Sequence, residues 1–361
     1  MNRRQVLKKM GLGAAAAATA GVIGAPAVHA AQKFHWKLVT TWGPNTPYLQ
    51  TETEAWAKMV DKMSDGRLKI KVYAANELIP ALGVFDAVSA GTYHAFHGPS
   101  YFWAGKVPAA QWFACVPFGL NAQGMNAWHY NGGGLKLWEE VYKPFNLLPR
   151  VGGNAGFQMG GWFRKKIEKL DDYKGLKMRI PGLGGKVVAK AGGTVTLTAP
   201  PEIFTSLERG VIDAAEFVGP LLDMKLGLYK AAEYYYYPGW HECGTGLEAM
   251  VNINAWNSLP DDLKAIVDAA AYKCNMWMLS EFEAKNNGAL QELITKHKVQ
   301  LKQFPEPVLK ELKKLSKEVL EEVAASDPMS KKVYDSFLEF QKTMIDWNKI
   351  TEEMYQKLKY L

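Results

Sequence analysis

Cysteine and histidine side chains, which carry much of the nucleophilic and zinc chemistry of proteins, are few in this sequence and form no catalytic motif. The three cysteines, Cys115, Cys243 and Cys274, include no C-x-x-C pair. The seven histidines have no metal-ligand spacing, and the nearest pair, His94 and His97, falls on a predicted strand. Neither G-x-S-x-G nor H-E-x-x-H occurs. The cysteines are therefore interpreted as small buried residues.

One arginine, Arg179, is the first candidate for binding chemistry. It ends the segment Leu-Lys-Met-Arg at residues 176–179, two residues before a proline. A guanidinium holds a carboxylate through two parallel hydrogen bonds, so this residue suits a small organic anion. From the residue alone, an arginine in a surface ion pair is the alternative.

The elements that must position such a residue are those of an α/β domain. Residues 34–38 alternate apolar and polar side chains as a strand does, residues 48–63 have helical periodicity, and residues 68–72 alternate again. Strand, helix, strand predicts a mostly parallel sheet.

An internal repeat indicates two similar lobes. Residues 84–95 align with residues 203–214, and each copy predicts a short helix, a glycine at the helix end and a strand. A loop containing glycine and proline follows each copy, at residues 98–100 and at Gly219-Pro220. Ligands of α/β sheets bind beyond the carboxyl ends of the strands, where these loops are expected. About 330 residues also exceed what one core accommodates.

The first thirty residues predict export. Adjacent arginines, Arg3 and Arg4, precede an uncharged stretch from Met10 to Ala25, and small residues lead to a cleavage site after Ala30. The paired arginines favour a signal peptide of the twin-arginine type, with general secretion and a membrane anchor as alternatives. Without this segment, 39 basic residues face 36 acidic ones. A net charge of about +3 argues against a nucleic-acid partner.

The last part of the chain, residues 327–361, predicts a long amphipathic helix. Apolar residues recur every three or four positions between Val333 and Leu358, and neither glycine nor proline interrupts residues 331–361. Such a helix could brace both lobes or pair with a second subunit, and both interpretations stay open.

A specific family resemblance comes from the middle of the chain. The segments that carry it are residues 154–163 (NAGFQMGGWF), 175–182 (GLKMRIPG), 210–220 (GVIDAAEFVGP) and 234–240 (YYYYPGW), with NAWHY and GGG at 126–134. They resemble the solute receptors of tripartite ATP-independent periplasmic (TRAP) transporters, and within them the subgroup that binds 2-oxo and 2-hydroxy monocarboxylates such as pyruvate. The resemblance spans the whole chain after the export segment.

The resemblance implies a periplasmic receptor with two α/β lobes around a cleft, which performs no chemistry and delivers its ligand to a TRAP membrane permease. The expected lobes are residues 31–153 with 246–286, and residues 154–245 with 287–326. A homodimer through the C-terminal helix is also expected.

For the site, the resemblance implies that Arg179 binds the ligand carboxylate and that a cation bridges to the ligand. The expected cation ligands are Gln158, Glu216, Glu242 and the carbonyl of Phe217. Two carboxylates with amide and carbonyl oxygens suit sodium or calcium, and a cation between them offsets their repulsion. Each glutamate taken alone could equally be a solvated surface charge.

The remaining site predictions concern the cavity wall. The full set expected to bind the ligand is Arg179, Gln158, Tyr101, Asn154, Phe217 and Trp240. Trp42, Asn45 and Trp103 are weaker candidates that core packing could explain equally well. The subgroup usually carries tryptophan where this chain has Phe217, and another large aromatic where it has His241, so the exact ligand stays open.

Two other functions remain open from the sequence. A periplasmic enzyme acting on a small organic acid is one, although no catalytic motif supports it. A binding protein for a different transporter or a sensor is the other, since lobe closure serves all of these.

Overall fold

The chain is described here by a computed structural model covering residues 32–359, so the export segment predicted for residues 1–30 lies outside it. The strands are β1 (Phe34–Thr40), β2 (Leu68–Tyr73), β3 (Ala95–Gly98), β4 (Leu147–Asn154), β5 (Gly161–Phe163), β6 (Lys177–Arg179), β7 (Thr194–Thr196), β8 (Ala214–Ala215), β9 (Tyr234–Tyr237), β10 (Gly246–Asn252) and β11 (Gln300–Gln303). The helices are α1 (Gln50–Met63), α2 (Val84–Ser89), α3 (Ala122–Asn131), α4 (Gly134–Tyr142), α5 (Gly182–Lys190), α6 (Ile203–Glu208), α7 (Pro220–Leu226), α8 (Ile253–Asn257), α9 (Asp261–Thr295), α10 (Glu306–Ser326), α11 (Pro328–Ile350) and α12 (Glu352–Leu358).

The strands form two mixed sheets. The first has the order β2-β1-β3-β10-β4, in which β1 runs parallel to β2 and β3, while β10 runs antiparallel to both of its neighbours. The second has the order β11-β9-β5-β8-β6-β7, with β6 parallel to β7 and β8. The sheets use the same stretches of chain as the predicted lobes, and the lobe boundaries themselves stay a prediction.

The alternating pattern at the start of the chain is confirmed as β1 and β2, with Trp36 and Leu38 buried. The helix predicted from residue 48 begins instead at Gln50. Tyr48 has a left-handed backbone (φ 62°), which an α-helix does not accommodate. The predicted strands β1 and β2 pair in parallel, as expected.

The internal repeat is also confirmed. In the first copy α2 precedes Gly91 (φ 79°) and β3, and in the second α6 precedes Gly210 (φ 71°) and β8. Both glycines take the left-handed conformation that ends a helix at little steric cost. One copy contributes to each sheet, which places the loops after β3 and β8 on different sheets.

The chain passes between the sheets three times, twice at adjacent strands and once from β10 through α8 and α9 to β11. From β4 of the first sheet it continues into β5 of the second, and from β9 of the second it returns to β10 of the first. β4 and β10 are paired along their whole length, from Gly246 opposite Asn154 to Asn252 opposite Leu147. Helix α9, 35 residues long, packs against β4, α1 and α7 and so contacts elements associated with both sheets.

The C-terminal segment differs from the single helix expected for residues 331–361. Helix α11 ends at Ile350, Thr351 has a non-helical backbone (φ −116°, ψ −96°), and α12 follows. The Thr351 hydroxyl donates to the carbonyl of Trp347, four residues earlier. Within residues 32–359, none of the helices combines the length and the apolar character needed to cross a membrane.

Candidate functional site

Arg179 lies at the carboxyl end of β6, between β8 and β7 in the second sheet, and is 1 % exposed. Its Nη1 donates to the backbone carbonyl of Glu216 (2.6 Å) and lies 3.2 Å from the Oε2 of the same residue. Its Nε lies 3.4 Å from the carbonyl of Thr198. Within the described chain Nη2 makes no hydrogen bond, so one arm of the guanidinium is available to a ligand. The surface ion pair considered from sequence is excluded by this burial.

Gln158 and Glu242 meet where the chain crosses between the sheets. The Nε2 of Gln158 donates to Oε2 of Glu242 (2.7 Å) and lies 3.1 Å from Oγ1 of Thr245. The Thr245 hydroxyl donates to the same carboxylate oxygen (2.5 Å). All three residues are buried. Thr245 was not predicted, because a threonine gives no sequence signal that distinguishes it from any other core threonine.

A small cavity adjoins these residues. Its lining comprises Trp42, Leu49, Tyr101, Phe102, Ala155, Gln158, Arg179, Phe217, Val218, Thr245 and Leu247. Residues from both sheets and from the segments that join them therefore face one space. Phe217 covers one side of Arg179, with the guanidinium carbon 6.0 Å from the ring centre. The mostly apolar lining with a few converging polar groups is typical of a small-ligand site.

Four sequence candidates are not brought to this cavity. The Asn154 side chain accepts from the backbone N–H of Gly156 (2.8 Å) and shapes the turn after β4. The Trp240 ring stacks on Phe118 in the core, with ring centres 5.8 Å apart. Trp103 donates to buried Glu248, and Asn45 is exposed on a loop. Core packing and turn formation account for these residues, and Trp240 contributes by fixing the backbone beside Glu242.

His241 is a member of the site that sequence spacing missed. One donor atom each from Glu216, His241 and Glu242 lie within 4.8 Å of one another, and all three residues are buried. The Nε2 of His241 is 4.0 Å from Oε2 of Glu216. The spacing of the histidines in the sequence gives no indication of this proximity. Residues 216 and 241 are far apart in the chain, and only the pairing of strands brings them together.

The charges of the cluster are strongly perturbed. Burial raises the pKa of Glu216 well above its ordinary value, Glu242 raises it further, and Arg179 opposes both effects. Burial likewise raises the pKa of Glu242 to about 7, against the lowering effect of the Thr245 hydroxyl. Burial, followed by the charge of Arg179, lowers the pKa of His241 to about 3, so this imidazole is neutral. A further positive charge beside the two glutamates would favour the anionic form of both.

The donor atoms fit a cation. Within residues 32–359, Oε1 of Gln158 and Oε1 of Glu216 are buried and have no hydrogen-bond partner. Unpartnered buried acceptors are rare because each costs about 1–3 kcal/mol. Both are hard oxygen donors, the kind that sodium and calcium prefer. The carbonyl of Phe217, predicted as a further ligand, belongs to a residue that lines the same cavity.

The chain was compared with known families and proteins. The family described as bacterial extracellular solute-binding protein, family 7, matches residues 38–327. A monocarboxylate 2-oxoacid-binding periplasmic protein of Nostoc sp. is 41% identical over 99% of this chain and 98% of its own length.

Solved structures agree with this match. A TRAP periplasmic solute-binding protein of Pseudoalteromonas atlantica, with bound sodium and pyruvate, superposes with a TM-score of 0.88 at 42% identity, over 90% of this chain and 99% of its own. One of Colwellia psychrerythraea, with bound calcium and pyruvate, gives a TM-score of 0.87 at 43% identity, over the same 90% and 99%. The predicted fold class, an α/β two-lobe periplasmic-binding-protein fold, is confirmed.

Proposed function

Since this chain belongs to the family-7 bacterial extracellular solute-binding proteins, we propose that it is a periplasmic TRAP receptor whose cleft binds a small 2-oxo or 2-hydroxy monocarboxylate together with a cation. Family membership makes the chain a solute receptor rather than an enzyme. The sequence-based alternative of a periplasmic enzyme is therefore set aside.

The observation that carries the ligand class is the buried Arg179 with one free arm. Its Nη1 is held by Glu216, which fixes the plane of the guanidinium, and its Nη2 is left for a ligand oxygen. A carboxylate beside Nη2 loses its hydrogen bonds to water and accepts one from a charged donor that is already held in place. The small size of the cavity and its aromatic walls favour a short acid over a sugar acid.

The cation is supported by the balance of charge. With both glutamates ionised, Glu216, Glu242 and Arg179 together carry one net negative charge in a buried cluster, which repels an anionic ligand. A divalent cation and a monocarboxylate bring the cluster to neutrality, whereas sodium leaves one net negative charge. The residues that would hold the cation are Gln158, Glu216 and Glu242, with the carbonyl of Phe217. When bound, the cation supplies an electrostatic bridge between the two glutamates and the ligand.

Two partner proposals follow. The first is a TRAP membrane permease, which the relatives' description as TRAP receptors supports.

The second is another copy of this chain. Val333 and Phe337 of α11 are buried, but the later apolar residues are exposed: Ile345, Trp347, Ile350, Met354, Tyr355 and Leu358. An apolar face of this length on a solvent-facing helix suits a subunit interface.

A ligand screen tests the receptor proposal. Protein freed of bound ligand by unfolding and refolding is heated with pyruvate, lactate and longer 2-oxo acids, each in sodium, in calcium and in chelator. Stabilisation of about 2.7 kcal/mol is expected when the ligand is in hundredfold excess over Kd. Stabilisation by short monocarboxylates that depends on a cation supports the proposal. The absence of stabilisation by every acid under every cation condition contradicts it.

A further inference from the structure

His241 occupies a fixed position in the crossing segment between β9 and β10. Its side chain is 1 % exposed, and its ring lies edge-on to Trp240, with ring centres 5.3 Å apart. Gly184 of α5 approaches so closely that a Cβ there would lie 2.8 Å from Cβ of His241. The absence of a side chain at residue 184 therefore permits this packing, and the imidazole has little freedom to turn elsewhere.

Neither nitrogen of this imidazole has a hydrogen-bond partner within the described residues. A buried histidine ordinarily has at least one partner, and the chain contains two that do. His97 bonds to Trp42 and to the carbonyl of Gly152, and His129 bonds to the carbonyl of Phe113. His241 is thus a buried polar group that the protein alone leaves unsatisfied.

The imidazole faces the two glutamates of the cation site. One atom each of Glu216, His241 and Glu242 fall within 4.8 Å of one another, and Nε2 of His241 is 4.0 Å from Oε2 of Glu216. Metal–ligand distances of about 2.0–2.2 Å place two ligands of one metal roughly 3–4.5 Å apart, so this spacing is close to that of a coordination sphere. Arg179, the other charged group of the cluster, engages Oε2 of Glu216 and leaves Oε1 free.

We propose that His241 supplies a nitrogen ligand to this cation site, so that the chain accepts a divalent first-row transition metal, of the Mn²⁺, Co²⁺ or Zn²⁺ class, in preference to Na⁺ or Ca²⁺. This inference rests on the cation site of the proposed function. Imidazole nitrogen suits these metals, while sodium and calcium select oxygen donors. Two carboxylates, one amide oxygen and one imidazole form a mixed set that is softer than an all-oxygen site.

Metal titration of protein without a polyhistidine tag tests the inference. After removal of metal with a chelator, Co²⁺ and Ca²⁺ are titrated by calorimetry into the unaltered protein, the His241→Phe variant and the His35→Gln variant. His35 is an exposed histidine on β1 and controls for metal bound at the surface. The affinity ratio of Co²⁺ to Ca²⁺ should fall at least about tenfold in His241→Phe, since even outer-shell changes cost 10- to 100-fold. It should stay unchanged in His35→Gln.

Proton NMR of the Co²⁺-loaded protein tests coordination directly, and the spectrum of the unaltered protein alone is enough to overturn the inference. A metal-bound imidazole gives a strongly shifted N–H resonance, which should be present in the unaltered protein and absent from His241→Phe. An unaltered protein that binds pyruvate with Ca²⁺ but shows no such resonance with Co²⁺ overturns this inference and leaves the receptor function standing. Failure to bind any carboxylate with any cation overturns the receptor function itself.

Discussion

Nη1 of Arg179 donates to the backbone carbonyl of Glu216 at 2.6 Å and lies 3.2 Å from Oε2 of the same residue. The two residues sit at the ends of neighbouring parallel strands, β6 and β8, so the sheet itself fixes their separation. A guanidinium held in this way loses little further freedom when a ligand arrives, which favours binding by preorganisation.

Replacing Arg179 should abolish carboxylate binding. Arg179→Ala removes the donor and leaves Glu216 buried without its counter-charge, and truncating one partner of a buried charge pair costs about 2–5 kcal/mol. The Kd for pyruvate should therefore rise by at least about thirtyfold, measured by calorimetry with calcium present. Arg179→Lys keeps the charge but loses the planar pair of N–H donors, so this variant should also bind pyruvate weakly. The exposed Arg209→Ala is the matched control; equal affinity in all variants would show that the ligand binds elsewhere.

Replacing Glu242 should uncouple ligand from cation. Glu242→Gln keeps an oxygen to accept from Gln158 and Thr245 but removes a negative charge from the cluster. Pyruvate should then stabilise the protein less, and calcium should add little to that stabilisation in a thermal melt. Glu208→Gln, at an exposed position, controls for the loss of one charge. A calcium response as large as that of the unaltered protein contradicts the assignment of Glu242 to the cation.

A larger side chain at residue 217 should weaken the binding of acids longer than pyruvate. Phe217 lines the cavity, so an indole in its place takes up room that a longer acid would use. One methylene in an apolar pocket is worth about 1–3 kcal/mol. The Kd for 2-oxobutyrate relative to that for pyruvate should rise about tenfold or more in Phe217→Trp. Phe157→Trp, at a half-exposed ring outside the cavity lining, should leave the ratio unchanged.

Glu248 should make stability depend on pH independently of the ligand site. Burial raises its pKa to about 8 from an ordinary 4.5, although Trp103 donates to it. Between these values the folded protein holds a proton that the unfolded chain has released. Stability therefore falls as pH rises through this window, by at most about 1.4 kcal/mol per pH unit. The free energy of unfolding, measured with urea at about pH 5 and about pH 8, should fall less in Glu248→Gln than in the unaltered protein. An equal fall in both proteins would exclude this contribution.

The exposed face of the last two helices should hold a dimer together. Trp347 and Ile350 are 59 % and 70 % exposed, so replacing both with glutamate should leave the fold intact and disrupt an interface. Light scattering should then report a dimer for the unaltered protein and a monomer for the double variant. Lys342→Glu, an exposed charge change on the same helix, should stay dimeric. A monomer in the unaltered protein at every concentration contradicts this proposal.

The sequence predicts the local elements well because their signals are local. The alternation at β1 and β2 and the repeat that ends at Gly91 and Gly210 need no knowledge of the rest of the chain. The break at Thr351 could not be found in this way, since neither glycine nor proline marks it.

The residues of the candidate site also divide into those that a local sequence segment indicates and those that only the fold brings together. Arg179, Gln158, Glu216 and Glu242 came from short segments that resemble a known family, and the structure gathers them. His241 gives no signal in the sequence, because its proximity to Glu216, 25 residues earlier, arises only in the folded chain. Asn154 and Trp240 lie in the segments that carry the resemblance, but their side chains do not line the cavity. The Asn154 side chain bonds to Gly156, and the Trp240 ring stacks on Phe118.

Two of the three segments that cross between the sheets have a mechanical consequence. Gln158 lies on the segment that leaves the first sheet, Glu242 on the one that returns, and a 2.7 Å hydrogen bond joins them. Rotation of one sheet against the other would bend these segments, together with the third passage through α9. A cation bound by both side chains would link the two crossing segments. Cation binding is therefore expected to restrict rotation of one sheet against the other.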